Sequence, residues 1–305
     1  MALPAALEGK LRLPLIAAPM FRVSGPDLVF AACKAGVIGS FPTANCRTVE
    51  ALDDWLGRIA AGTDGGAPFA PNLIVHHTNK RLAEDTDLVV KHRAPLVIAS
   101  VGSPAPIVDR IKAYGGLVFA DIATMRHAEK AIATGVDGLV LLTAGAGGQT
   151  GWANPFAFVR AVRAIYDGTI VLSGGLSDGV ALRAAQALGA DLGYMGTRFI
   201  ATRESMAVDG YKRMLVDSAL DDVMRTSAFT GLPSSILRPS IEAAGLDPGA
   251  LPSRGMIDVS TDINPDKRPK RWKDIWSAGH SVSGVDDVPS VAALVDSLCE
   301  EHDSA

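Results

Sequence analysis

Eight short apolar runs recur along the first two hundred residues and constrain the fold more than any other feature. They are LPLIAA (13–18), GVIGSF (36–41), PFAPNLIV (68–75), APLVIAS (94–100), GLVFAD (116–121), GLVLL (138–142), TIVLSG (169–174) and DLGYMG (191–196). Each run is almost continuously apolar rather than alternating, which is typical of parallel strands buried on both faces. Amphipathic stretches rich in Ala, Leu, Arg and Asp lie between them. The eight β–α units predict a (β/α)8 barrel, with a doubly wound open sheet as the alternative.

Hydroxyl side chains mark where the amphipathic stretches begin. Ser24, Thr48, Thr124 and Ser177 each precede such a stretch and are predicted N-caps. After residue 210 the rhythm stops, and pieces broken by Pro and Gly follow. We therefore expect the barrel over residues 1–210 and a small, mostly helical insertion over its mouth at 211–272. A C-terminal segment, 273–305, then returns to the barrel with one helix near 288–302.

Composition excludes several classes of function. Hydrophobic residues make up 48% of the chain and charged residues 20%, so a large core is expected. The net charge is −4 without a basic block, which argues against nucleic acid or an anionic membrane as partner. Cys33, Cys46 and Cys299 show no metal-ligand spacing, so we predict reduced thiols and no metal. Without a signal peptide or an apolar run long enough for a membrane span, a soluble cytoplasmic chain is expected.

The carboxyl ends of the predicted strands carry the candidate site, as in other barrels of this kind. The sixth run is followed by TAGAGGQTG (143–151), where four glycines allow a ligand close to the backbone and Gln149 is the only amide. Ser173–Gly174–Gly175 and Met195–Gly196–Thr197 end the last two runs. Exposed N–H groups and the start of a helix after each loop predict a phosphate site there, with plain tight turns as the alternative.

Several of these segments together resemble one enzyme family. PLIAAPM, PFAPNLIVH, the glycine-rich segment, SGGLSDG, LGADLGYMGTRFIATRES and AGHSVSG occur in the order typical of the nitronate monooxygenases, formerly called 2-nitropropane dioxygenases. The resemblance implies an FMN-dependent barrel with a small inserted domain. It places the flavin ring near Met20 and Asn72 and the flavin phosphate at the last two strands. The cofactor site implied in this way comprises Ala18, Pro19, Met20, Asn72, Asp121, Ala146, Gly147, Gly148, Ser173, Gly174, Gly175, Met195, Gly196 and Thr197.

The sequence departs from the family at the residues that carry the chemistry. Gly145 stands where the family has Glu, and Gln149 where it has the catalytic His; Asp121 ends the strand on which some members place a Lys. A glutamine offers hydrogen bonds but takes up no proton near neutral pH. Gln149 is therefore the predicted donor to an anionic substrate oxygen. Asp121 is a candidate base or a polar anchor, and His76 is either catalytic or structural.

Four further side chains have the following interpretations. His280 either reaches the flavin edge or makes a loop hydrogen bond, and Asp178 is interpreted as a first-turn helix charge. Trp272 and Trp276 either cover the site or pack the insertion onto the barrel.

The predicted function is an FMN-dependent oxidoreductase that oxidises a nitronate or similar stabilised carbanion with O₂. The alternative is an FMN-dependent dehydrogenase or reductase acting on the C=C bond of an enone or acyl-CoA thioester. NAD(P)H would then enter only transiently, because no GxGxxG follows a strand. A non-redox phosphate-binding barrel is disfavoured because no Lys ends any of the eight runs, and a flavin-binding module without turnover is disfavoured as well. A homodimer is a possible assembly.

Overall fold

A closed parallel barrel forms the body of the protein, in a computed structural model that describes residues 3–251 and 274–305. Its strands, in order around the barrel, are β1 (Leu15–Ala17), β2 (Ile38–Pro42), β3 (Phe69–Ile74), β4 (Leu96–Ser100), β5 (Leu117–Ile122), β6 (Gly138–Leu142), β8 (Thr169–Ser173) and β9 (Leu192–Met195). All eight predicted runs are barrel strands. The barrel prediction is confirmed, and the open-sheet alternative is wrong because β9 pairs with β1 and closes the sheet.

Helices alternate with the strands and surround them. They are α1 (Pro26–Ala35), α2 (Val49–Gly62), α3 (Leu82–Lys91), α4 (Ala105–Lys112), α5 (Met125–Ile132), α6 (Pro155–Arg163), α7 (Gly179–Leu188), α8 (Thr197–Ile200), α9 (Asp209–Val216), α10 (Arg238–Ala243) and α11 (Val291–Ser304). Helix α11 begins after Ser290, which caps it, and packs against α1 and α7. The predicted return of the C-terminal helix to the barrel is thus confirmed.

Two of the four predicted N-caps are correct. Thr48 and Thr124 accept the backbone N–H groups three residues later, at the starts of α2 and α5. Ser24 does not cap α1, since its hydroxyl oxygen accepts the Met20 N–H at 3.0 Å. At α7 the cap is Asp178, whose carboxylate accepts the Ala181 N–H at 2.7 Å. The predictions for Ser24 and Ser177 were wrong by one residue, since the N-caps are Gly25 and Asp178, and a local pattern locates a helix start only to within one or two residues.

The continuous apolar runs follow from burial of each strand on both faces. Ile16, Ile38, Ile98 and Val140 belong to a cluster inside the barrel. Leu15 and Ala17, on either side of Ile16, belong instead to the layer between strands and helices. Because successive side chains of a strand point to opposite faces, a strand covered on both sides needs apolar residues at every position.

A second, three-stranded antiparallel sheet lies beside the barrel. It consists of β10 (Val223–Thr226), β11 (Ser234–Leu237) and β7 (Gly148–Gln149). Residues 211–251 thus contain two strands as well as helices, which the prediction of a mostly helical insertion did not anticipate. Since β7 belongs to the glycine-rich segment, the insertion is hydrogen-bonded directly to that segment. The division of the chain at residues 210 and 272 stays a prediction, and Trp272 lies outside the described residues.

A membrane-spanning helix needs both sufficient length and apolar character. No helix within 3–251 or 274–305 has both the length and the apolar character of a membrane span.

Candidate functional site

A cavity of about 370 Å³ opens at the carboxyl ends of the barrel strands. Loops after β1, β4, β6, β8 and β9, the ends of β3 and β5, and residues of the insertion contribute to its wall. All fourteen residues predicted for the cofactor line it, and so does Gln149. The cavity therefore brings together almost the whole predicted site, because parallel strands in a barrel deliver their carboxyl ends to one face.

His76 is the predicted site residue that does not line the cavity. It follows β3, but its Nδ1 lies 2.8 Å from the Thr78 hydroxyl, and its ring packs 4.2 Å from that of His77. These contacts hold the imidazole within its own loop. The structure thus does not bring His76 to the cavity, and a catalytic role for it stays a prediction.

The loop after β8 requires glycine for two physical reasons. Gly174 has φ = 122°, and a Cβ there would lie 2.4 Å from the Thr143 hydroxyl oxygen. Gly175 has φ = 76°, and a Cβ there would meet nothing within 4 Å. Its N–H has no acceptor among the described residues. An open, unpaired donor of this kind suits an anionic oxygen of a ligand.

The predicted contribution of helix N-termini to the phosphate site is not supported. The Asp178 carboxylate occupies the start of α7, so no positive end remains for a ligand there. Helix α8 has only four residues, which is too short for a substantial dipole. Any anion held at this edge would depend on backbone N–H groups and on the Thr197 hydroxyl.

Thr197, at the start of α8, is buried and connects the loop after β9 to the segment around Gly279. Its hydroxyl oxygen accepts the backbone N–H of Gly279 at 2.9 Å. A hydroxyl accepts and donates at once, so the Thr197 proton stays available to a ligand. A Cβ at Gly147 would lie 2.8 Å from the same Gly279 nitrogen, which explains a glycine at position 147.

His280 contacts the glycine-rich segment at Gly145. Its backbone N–H donates to the Gly145 carbonyl oxygen at 2.9 Å. Its imidazole occupies the space that a side chain at position 145 would need, since a Cβ there would lie 2.7 Å from Nδ1. This contact accounts physically for Gly145 and corresponds to the loop-bonding interpretation of His280.

Asn72 and Ser100 form a fixed polar pair at the base of the cavity. The Asn72 amide nitrogen donates to the Ile98 carbonyl and to the Ser100 hydroxyl, both at 3.0 Å. The Ser100 hydroxyl also donates to the Asn72 carbonyl oxygen at 3.4 Å. Because both amide protons are used, the second lone pair of this oxygen is what Asn72 offers to a ligand. Both residues are buried, so their geometry is set before any ligand binds.

Asp121 is the only acid that lines the cavity within the described ranges. Its Oδ1 atom is buried and has no hydrogen-bond partner there. Burial raises the pKa of this carboxyl from 3.8 to about 7, because removal from water disfavours the charged form. The nearby Tyr194 hydroxyl has a pKa well above its usual value, through burial first and the Asp121 charge second. The end of β5 is thus an acid near its titration point at neutral pH.

Gln149 is fixed through its backbone and free at its side chain. In β7 it pairs with Ser234 of β11, and the next N–H, of Thr150, donates to Pro233. Among the described residues its amide side chain has no hydrogen-bond partner. A polar group on a rigid strand with unused donors is well suited to orient a ligand.

The insertion supplies an apolar side to the cavity. Trp276 lines it and stacks on Tyr211 with ring centroids 5.0 Å apart, and the Tyr211 hydroxyl donates to the Ser277 carbonyl. Trp276 therefore lines the cavity and packs against Tyr211 of α9. Three lining residues were not predicted, since nothing local in the sequence places them at the cavity: Arg22, Val101 and Tyr211.

A closed (β/α)8 barrel with a glycine-lined cavity at its carboxyl face is the class that fold and site define. The sequence model described as nitronate monooxygenase matches residues 78–301. The chain therefore belongs to the nitronate monooxygenase family, and the predicted resemblance is confirmed.

Individual relatives carry two kinds of name. A nitronate monooxygenase of Paraburkholderia phytofirmans is 27% identical over 278 residues, covering 77% of this chain and 76% of the relative. A protein of Mycobacterium tuberculosis named (3aS,4S,5R,7aS)-5-hydroxy-7a-methyl-1-oxo-octahydro-1H-indene-4-carboxyl-CoA dehydrogenase is 28% identical over 234 residues, covering 75% of this chain. The match spans 64% of that relative's length. Both names denote oxidoreductases, the class of enzyme that the sequence predicts.

Solved structures agree in fold. FabK from Thermotoga maritima superposes with a TM-score of 0.82 at 22% identity, covering 98% of this chain and 94% of its own. A nitroalkane oxidase from Streptomyces ansochromogenes superposes with a TM-score of 0.81 at 24% identity, covering 98% of each chain. At these identities the likeness establishes the fold.

Proposed function

We propose that the chain is an FMN-dependent oxidoreductase of the nitronate monooxygenase type, which oxidises a nitronate or a similar stabilised carbanion with O₂. The carrying observation is that all fourteen residues implied for the cofactor line one cavity in a member of this family. When bound, FMN would accept the electrons of the substrate and pass them to O₂.

The residues present fit a flat cofactor that carries a phosphate. Gly174 and Gly147 leave no room for a side chain, so the backbone forms that part of the wall. The open N–H of Gly175 and the hydroxyl of Thr197 supply donors for phosphate oxygens. Asn72 would present its carbonyl oxygen to an N–H of the ring system, since its own amide protons are used.

Two side chains would act on the substrate. Gln149 donates its amide N–H to the anionic oxygen and so orients the substrate and stabilises its charge. Asp121, with a pKa of about 7, holds or releases a proton within the cavity near neutral pH. An already anionic substrate needs no base, which suits a chain with Gln149 where the family has His.

A second candidate is reduction or oxidation at the C=C bond of an enone or acyl-CoA thioester, in which NAD(P)H could serve as electron donor. It is supported by the 28% identical relative that is named a carboxyl-CoA dehydrogenase. The apolar residues Met206, Val208 and Trp276 at the cavity would accommodate a larger carbon skeleton than a small nitroalkane needs.

Release of the cofactor, followed by titration with substrates, tests the two candidate functions. Denaturation of the purified yellow protein should release FMN, identified by mass spectrometry. O₂ consumption with the nitronate of nitroethane supports the first candidate, whereas anaerobic loss of flavin absorbance with an acyl-CoA thioester supports the second. A colourless protein that does not bind added FMN would contradict both candidate functions.

A further inference from the structure

We propose that Arg22 is a specificity-determining residue that binds an anionic group of the substrate, a carboxylate or a phosphate carried away from the reacting carbon. The proposal rests on the proposed function and names the substrate class of that same cavity: an apolar body with an oxyanion at one end.

Arg22 holds the only positive charge in the cavity wall formed by residues 3–251 and 274–305. It makes no ion pair with a carboxylate of those residues, and its guanidinium carbon lies 5.9 Å from the centre of the Phe21 ring. The other charged lining residue, Asp121, has an Oδ1 without a partner, so the two do not neutralise each other. A guanidinium left without an anion beside a ligand cavity is suited to a carboxylate or phosphate, which it binds with two parallel hydrogen bonds.

The backbone of Arg22 adopts a conformation that side chains other than glycine rarely take. Its φ is 62°, in the left-handed region. Such residues are uncommon and concentrate at ligand-binding and catalytic sites, where surrounding contacts impose them. A glycine would adopt this turn without strain, so the presence of an arginine points to a use for its side chain.

Asn45 imposes that conformation. Its Oδ1 accepts the Arg22 N–H at 2.7 Å, while its amide nitrogen donates to the carbonyls of Met20 at 3.1 Å and Ser24 at 2.7 Å. These three bonds fix the whole β1–α1 loop to the loop that follows β2. The direction in which Arg22 leaves the backbone is thus set before a ligand arrives.

The surroundings of Arg22 are apolar and open. The Met206 N–H donates to the carbonyl of Val23 at 2.9 Å, which ties the segment containing Met206 and Val208 to the Arg22 loop. Both side chains line the cavity and are 44% and 59% exposed, as expected at its mouth. An amphipathic ligand would pack its carbon chain on these residues and its anion on Arg22.

The position of Arg22 favours the substrate over the cofactor phosphate as its ligand. The proposed phosphate donors Gly175 and Thr197 follow β8 and β9. Arg22 is instead fastened toward β2 through Asn45, on the other side of β1. On this proposal the cavity holds two different anions, the cofactor phosphate at Gly175 and Thr197 and the substrate anion at Arg22.

Simple six-carbon probes test this assignment on the FMN-loaded protein. We would measure dissociation constants of hexanoate, hexyl phosphate and 1-hexanol by titration calorimetry. One of the two anions should bind at least about tenfold tighter than the alcohol, the effect of a charge-assisted hydrogen-bonded pair. Whichever anion gains more identifies the group as carboxylate or phosphate.

Two variants remove the charge in different ways. Arg22→Gln keeps a polar side chain, and Arg22→Gly removes it while allowing the left-handed turn. Both should reduce the preference for the anion to parity with 1-hexanol, and Arg22→Gly should also raise the melting temperature. Arg93→Gln is the matched control, because Arg93 also has a positive φ, 48°, but is exposed, lies outside the cavity and donates to the Tyr114 carbonyl. It should leave the preference unchanged.

Three outcomes would overturn the proposal. These are equal affinity of the wild type for anions and alcohol, an unchanged preference in both Arg22 variants, and a tenfold or greater loss of FMN affinity in those variants. The last would assign Arg22 to the cofactor phosphate. FMN binding is read separately from flavin absorbance: a colourless protein that still prefers the anion through Arg22 would remove the proposed function and leave this inference in place.

Discussion

The Gly279 N–H donates to the Thr197 hydroxyl oxygen at 2.9 Å across 82 residues of sequence. This bond joins the segment that precedes the C-terminal helix to the end of the last barrel strand, at the edge proposed for the flavin phosphate. Thr197 thereby has one structural bond and one proton left for a ligand.

Thr197→Val should weaken FMN binding by about one to two decades, because a hydrogen bond to a charged group contributes about 1.5–3 kcal/mol. The same change removes the acceptor for Gly279 and should lower the free energy of unfolding of the apoprotein by about 1 kcal/mol. Thr197→Ser keeps the hydroxyl and should retain most of the FMN affinity and most of the free energy of unfolding. Fluorescence titration of FMN and urea unfolding measure the two effects. Unchanged FMN affinity in a folded Val variant would place the phosphate elsewhere.

Gln149→Leu should leave FMN bound and slow substrate-dependent flavin reduction by about 10²–10³, the usual loss for one donor at developing charge. FMN should stay because the β7 pairing with Ser234 is made by backbone groups that the substitution keeps. Anaerobic stopped-flow reduction of the FMN-saturated variant measures the rate. A near wild-type rate would show that the Gln149 amide takes no part in the reaction.

Gln149→His places a group that titrates near neutral pH at the same strand position. We expect the variant to fold and to gain reduction by neutral nitroalkanes, which require loss of a proton. The comparison is between 1-nitropropane and its preformed nitronate, followed by flavin absorbance. If Gln149→His leaves the ratio of the two rates at its wild-type value, the side chain at position 149 lies away from the reacting carbon.

Asp121→Asn should change how stability depends on pH. The wild-type carboxyl has a folded pKa of about 7 and an ordinary value of 3.8. Between these values the folded state holds a proton that the unfolded state has lost, so wild-type stability falls as pH rises toward about 7. The amide does not titrate, and the difference in unfolding free energy between the two proteins should vary across that range. A constant difference in urea unfolding across the range would mean that Asp121 is not desolvated.

Gly174→Ala should destabilise the protein by about 2–4 kcal/mol, from left-handed strain plus overlap with Thr143. Thr143 has no room to move, since it is fully buried and its hydroxyl donates to the Ser173 carbonyl at 2.7 Å. Gly115→Ala is the matched control, with φ = 87° and open space around the added methyl. It should cost only about 1 kcal/mol. Equal costs by urea unfolding would contradict a close-packed Gly174.

The sequence by itself determined the eight β–α units, and all fourteen residues predicted for the cofactor, together with Gln149, line the cavity. It could do so because burial of a strand on both faces leaves a local signature, and because glycines before a helix mark close backbone approach. Asn72 and Asp121 were predicted as site residues because they lie toward the carboxyl ends of their strands, where sites of such barrels are found. Closure of the sheet through β9 and β1 was decided only by the tertiary structure, since open and closed parallel sheets share the same local pattern.

Other features depended on contacts between distant segments. His76 lies beside its own loop rather than in the cavity because it contacts Thr78, and Asp178 rather than Ser177 caps α7. Gln149 became part of a strand only because residues 234–235 pair with it across 85 positions or more. Within residues 3–251 and 274–305, the Asp121 Oδ1 atom has no hydrogen-bond partner and Arg22 has no ion pair, and both facts are properties of what surrounds these side chains. Such absences of partners arise from packing in three dimensions, which no local pattern of the sequence encodes.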